Sequence, residues 1–103
     1  MEAKWKLIEK DTDILLTHCP PYSIGDKCIF GGESGGCKKL LQYVRDEIKP
    51  LIHIFGHEHG DPGIFPPDTD RNDSQIYFAN AASVSEYYRL RQSPIVFSLI
   101  PKQ

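Results

Sequence analysis

The sequence predicts a small α/β domain, and three observations carry that prediction. Residues 13–17 (DILLT) and 51–55 (LIHIF) are short apolar runs of strand length. Between them, Cys37, Leu40, Leu41, Val44 and Ile48 fall at i, i+3, i+4, i+7 and i+11, one apolar stripe of an amphipathic helix. Each apolar run then stops at histidine: His18 before Pro20-Pro21, and Gly56 followed by His57 and His59. Strand, helix and strand in this order predict a parallel pair joined by a crossover helix. Both histidine-bearing ends then lie at the carboxyl edge of the sheet, where ligands of open α/β sheets bind.

Taken in order, residues 1–11 are polar and mixed, with Trp5 and Leu7-Ile8 as their apolar anchors. The DILLT strand ends at Pro20-Pro21 because neither proline can donate to a ladder. Residues 22–36 hold five glycines and no periodicity, and read as a long loop of the functional kind. The helix of residues 37–48 turns Lys38, Lys39, Gln42, Arg45, Asp46 and Glu47 to water and is closed by Pro50. DILLT and LIHIF both read as strands buried on two faces. Residues 60–74, rich in Gly, Pro, Asp and Asn, read as a second long loop. Residues 75–79 (QIYFA) form a third strand, 80–83 a tight exit, 86–93 a polar stretch, and 94–100 (PIVFSLI) a fourth strand.

The 103 residues suffice for a single domain with one core. A chain 40% hydrophobic and 25% charged has the composition of a folded domain, which argues against disorder over most of its length. A net charge of −2 with scattered Lys and Arg gives no footprint for a nucleic acid polymer or an anionic membrane surface. No apolar run approaches the ~20 residues of a membrane span, and no signal-type leader opens the chain. Cys19, Cys28 and Cys37 are odd in number and widely spaced, which suits neither a disulfide framework nor a CxxC zinc site. Reduced thiols in a soluble, cytoplasmic protein are the expectation.

In an extended chain, residues i and i+2 project to one side. The imidazoles of His57 and His59 can therefore reach one small volume beyond the strand, with Gly56 letting the backbone turn there. His53, set back within LIHIF, reads as a hydrogen-bonded structural histidine. Asp68, Asp70 and Asp73 lack EF-hand spacing and read as a solvated loop. Tyr87, Tyr88, Arg89 and Arg91 read as a surface turn.

Three pieces in register, LLTHCPP, then IFGHEHGDPGIF, then YFANAASV followed by PIVFSL, resemble the calcineurin-like metallophosphoesterases. The resemblance runs from about Trp5 to Leu99 and is strongest to the metallophosphoesterase-domain-containing branch. It implies a four-layer α/β/β/α sandwich, of which residues 1–103 would supply the carboxyl-terminal half. It also implies two divalent metal ions (Mn, Fe, Zn or Mg), which clamp the attacking and leaving oxygens of a phosphoester. In that scheme His18 and His57 ligate one ion and His59 the other. Glu58 and Asp61, which flank the histidines, read either as solvated loop charge or as partners that orient the imidazoles from behind. Cys19 stands beside His18 as either a thiolate ligand or a small buried thiol.

The family's D-x-H, GD-x-x-D and GNH motifs do not occur in this sequence. They supply the bridging aspartate, the other acidic ligands and the histidine that protonates the leaving group; Asn80 lies in FANAAS, not in a GNH. Three imidazoles cannot build a dinuclear centre, since a catalytic ion takes about three protein ligands and an open position. The expectation is the second half of a metal-dependent phosphoesterase domain acting on phosphodiesters or phosphomonoesters. Alone, it would hold no catalytic residue and be inactive. Its uncovered apolar sheet face would meet the missing amino-terminal half or a second copy. The alternatives are a non-catalytic binding or scaffold remnant, or a mononuclear zinc module built from His18, His57 and His59.

Overall fold

The computed structural model describes residues 6–27, 35–58, 60–67 and 75–82, together with 95, 96 and 98. Outside these lie Trp5, Cys28, His59, the Asp68, Asp70 and Asp73 cluster, Tyr87, Tyr88, Arg89, Arg91 and most of the predicted strand at 94–100. Strand β1 is Ile14–Leu16, helix α1 is Lys38–Tyr43, and β2, β3 and β4 are Ile52–Phe55, Gly63–Phe65 and Tyr77–Asn80. They form one sheet in the order β1-β2-β4-β3. β1 and β2 are parallel neighbours, as the crossover reading requires, and β4 lies parallel on the other side of β2.

Helix α1 follows the predicted stripe: Leu40 and Leu41 are buried, and so are Val44 and Ile48 in the continuing turn. That turn, Val44–Ile48, is wider than an α-helix. It closes on Lys49, whose left-handed φ of 50° lets its N–H donate to the Val44 carbonyl at 2.8 Å. The stripe packs on Leu15, Phe55 and Phe78 of the sheet and on Ile24 and Ile76. At about 1.5–3 kcal/mol per fully buried aliphatic or aromatic side chain, this layer is the main stabilising term of the described fold.

Two expectations change. Residues 60–74 are not only loop, because Gly63–Phe65 forms β3, antiparallel to β4 with Ile64 opposite Ala79. Three residues with a φ of 133° at the leading glycine are too short and irregular for a period-2 pattern to reveal. Nor is β1 buried on both faces: Leu15 is buried, while Ile14 and Leu16 are exposed. Residues 22–27, the described start of the expected loop, differ only in being packed inward, with Ile24 and Asp26 fully buried. Gly25 takes a φ of 62°, and a Cβ there would stand 2.8 Å from the Phe65 ring and 3.0 Å from that of Phe55. Only glycine seats this turn on the two aromatics.

Candidate metal-binding edge

His18 and His57 are brought together by the ladder itself. Beyond the last paired residues of β1 and β2, the Thr17 N–H donates to the Ile54 carbonyl at 3.0 Å, and the Gly56 N–H to the His18 carbonyl at 3.2 Å. The backbone of one histidine is thus bonded to the residue preceding the other. Their ring centroids lie 4.9 Å apart at an interplanar angle of 61°. Two imidazoles sharing one ion at ~2.0–2.1 Å nitrogen–metal bonds have centroids roughly 5 Å apart. The separation is within reach of two ligands of a single cation and is also that of an edge-on ring contact, and both residues stand at the exposed edge of the sheet. Among the described residues no group of three His, Cys, Asp or Glu side chains converges on one point.

The turn that aims His57 is unusual. His57 itself has a φ of 73°, and the Glu58 N–H donates to the Gly56 carbonyl at 2.8 Å, closing a three-residue turn around the histidine. Such a turn with positive φ at its centre is rare and strained. Gly56, expected to be the flexible residue, has open space around its Cβ position and is not the left-handed one. The strain falls on the side chain that faces His18.

The neighbouring acids do different work. Glu58 Oε1 lies 3.8 Å from His57 Nε2, and its side chain is largely covered. The Asp61 carboxylate instead accepts from the Lys27 N–H at 3.2 Å, tying the loop after β2 to the turn before residue 28.

Sequence reasoning missed Asn80. It sits at the carboxyl end of β4, fully buried. Its Nδ2 donates to the carbonyls of Gly25, Glu58 and Asp61 at 3.0, 2.8 and 2.9 Å, two hydrogens shared among three acceptors. Its Oδ1 accepts from the Ala82 N–H at 3.0 Å. The available signal was an asparagine ending an apolar strand, where a buried amide needs partners.

His53 behaves as the structural histidine predicted. Thr17 Oγ1 donates its single hydrogen to the Cys19 carbonyl at 2.8 Å, so at its 2.8 Å contact with His53 Nε2 it accepts. The hydrogen-bond network thus assigns the proton to Nε2 and leaves Nδ1, buried and without a partner, as a bare lone pair. Burial between the rings of Phe55 and Phe78 lowers the pKa of His53 from 6.5 to about 4. Beside His18 opens a largely apolar hollow of about 320 Å³, lined by Thr17, His18, Cys19, Gly35, Gly36, Cys37 and Leu40. Cys19 and Cys37 are free thiols; Cys19 is exposed at the sheet edge, which overturns its reading as a small buried thiol, and Cys37 is partly covered.

No family model matches the chain. It is 38% identical over 99 residues to a UPF0046 protein of Caenorhabditis elegans, covering 96% of this chain and 31% of that protein. It is 33% identical over 96 residues to metallophosphoesterase domain-containing protein 1 of Homo sapiens, covering 93% of this chain and 28% of the relative. A 60-residue stretch is 43% identical to 5% of a probable rhamnogalacturonate lyase C of Emericella nidulans, too small a share for that name to bear on these residues. The chain spans about a third or less of the length of these relatives. No described helix is long and apolar enough to cross a membrane.

Proposed function

This chain is homologous, over nearly all of its length, to part of the metallophosphoesterase-domain-containing proteins, and from that premise we propose that it supplies the carboxyl-terminal, imidazole-bearing portion of a metal-dependent phosphoester hydrolase. The observation that carries the proposal is the 4.9 Å approach of His18 and His57 from the ends of two parallel strands. In it, His18 and His57 hold one divalent ion, and His59, which lies outside the described residues, holds the second ion of a dinuclear site. Mn, Fe, Zn or Mg would serve there. Such ions polarise the phosphoester and lower the pKa of bound water.

The chain's own contribution is placement. The β1–β2 ladder sets the separation of the two imidazoles, and Glu58, 3.8 Å from His57 Nε2, favours one orientation of that ring. The hollow beside His18 gives the ester's organic group an apolar wall. The substrate class is a phosphodiester or phosphomonoester.

The acidic ligands and the proton donor come, in this reading, from polypeptide that the longer relatives also carry. That portion packs on the exposed flanks of the sheet at Ile14, Leu16, Ile64 and Tyr77. The free thiols suit a reducing compartment such as the cytoplasm.

Titration with Mn²⁺ or Zn²⁺, followed through the imidazole resonances, tests the proposal. The His18 and His57 signals shift or broaden together, and His57→Ala abolishes the response at His18. Unchanged imidazole signals at millimolar metal would overturn it. With Mn²⁺ present, the chain alone does not hydrolyse a chromogenic phosphodiester; turnover would refute the division of ligands between two segments.

A further inference from the structure

We propose that Asn80 is the positioning residue of this edge: its carboxamide holds His57 in the strained turn that faces the ring toward His18. The inference rests on the metal-binding reading for its purpose, but not for its geometry.

Three facts converge on it. His57 occupies a backbone conformation that an L-residue adopts only when its surroundings over-determine it. The hydrogen bond inside the turn, from Glu58 N–H to Gly56, is local and would not hold it alone. The carbonyls that follow the turn, of Glu58 and Asp61, both converge on Asn80 Nδ2, and the Gly25 carbonyl joins them from the loop packed under Phe55 and Phe65.

Asn80 is itself immobilised. It is paired with Phe55 in the β2–β4 ladder, and the next residue, Ala81, donates its N–H to the Phe55 carbonyl at 2.8 Å. One buried amide therefore fixes the loop after β2 to the strand beside it. The Glu58 and Asp61 carbonyls thus share one side-chain donor. A carboxamide suits this place because it offers two N–H donors and one acceptor, whereas a carboxylate offers acceptors only and would face three carbonyl oxygens.

The test begins with the unaltered, metal-free protein. The two Nδ2 protons of Asn80 should be resolved in NMR spectra and exchange slowly, in step with the loop amides of residues 58 and 61. Exchange at the rate of a solvent-exposed amide would overturn the proposal without any variant. In Asn80→Asp, the nuclear Overhauser contact between the His18 and His57 rings should be lost, while amides of Leu40, Val44 and Phe78 keep their protection. A retained ring contact would also overturn it.

With Zn²⁺ as the probe, Asn80→Asp should weaken binding about tenfold or more. A merely structural role would instead lower the protection of the Leu40, Val44 and Phe78 amides together with the Zn²⁺ affinity. If the unaltered protein binds no Zn²⁺ at all, the metal reading fails, and the ring contact and amide exchange still decide the role of Asn80.

Discussion

The two faces of the sheet are built from similar residues and meet different fates. By register, Leu15, His53, Phe55, Phe78 and Phe65 share one face, and Ile14, Leu16, Ile52, Ile54, Tyr77, Ala79 and Ile64 share the other. The first lies under α1 and the Ile24 turn. The second is buried at Ile52 and Ala79 and open at the edge strands and at the start of β4: Leu16 is 70% exposed, and Ile14, Tyr77 and Ile64 are each more than 40% exposed. β1, with isoleucine and leucine on its open side, has the composition of a strand meant for two layers. The core cluster therefore lies on one face, while the other is buried at Ile52 and Ala79 and leaves four large apolar side chains in water. Phe78→Ala tests the first half of that contrast most severely. Phe78 is fully buried in the core cluster, and its loss should cost about 3–5 kcal/mol. A urea midpoint unchanged from the parent would mean that α1 does not stabilise this sheet.

The next effect belongs to His53, on the same covered face. Its folded pKa is about 4 and its unfolded value 6.5, so between those limits the unfolded chain binds the extra proton. Stability is undiminished above pH 6.5, falls as the pH drops through the window, and levels below about 4. A shift of this size corresponds to roughly 3 kcal/mol in total. Carboxylates titrate in part of the same range, so the comparison to make is with His53→Gln. The urea-derived stability of the parent should fall between pH 7 and 4.5 more steeply than that of the variant. Equal slopes would show that the imidazole is not held neutral by burial.

A smaller change of opposite sign is expected at the edge where the two faces end. His57→Gly removes a side chain from a left-handed position, and the relief should exceed the entropic cost of glycine, for a gain of about 0.5–1 kcal/mol. The same variant should lose the metal response of the imidazole pair. A histidine that stabilised its own turn would instead make this substitution destabilising, and denaturant titration separates the two outcomes.

Periodicity carried much of this into the sequence. The stripe from Leu40 to Ile48 and the apolar runs around Leu15 and Ile54 were legible because each buries one face at the repeat of its own secondary structure. The meeting of His18 and His57 followed, since parallel neighbours must end at one edge. β3 was illegible because three residues beginning with glycine carry no period. Which residue of the Gly56-His57 pair would bear the positive φ was also hidden, because composition favours glycine while the hydrogen bonds to Asn80 decide otherwise. Asn80 was legible only as an oddity, since its partners at Gly25, Glu58 and Asp61 are distant in sequence.

Leu16→Lys addresses the open flank and carries the smallest stability effect. Its side chain is mostly in water, so replacement should leave the urea midpoint within about 0.5 kcal/mol of the parent. The consequence lies in association instead. Leu16 adjoins Ile14 two residues away on the same strand face, and Ile54 pairs with it across the ladder, so a lysine there puts charge into the middle of the apolar strip. If that strip is where further polypeptide packs, the parent chain in isolation should self-associate as its concentration rises, and Leu16→Lys should shift it toward monomer in sedimentation experiments. Glu9→Lys, the same kind of residue placed on the exposed segment ahead of β1, controls for a general effect of added charge. A parent that stays monomeric at high concentration, or variants that behave alike, would mean that the flank is ordinary exposed surface.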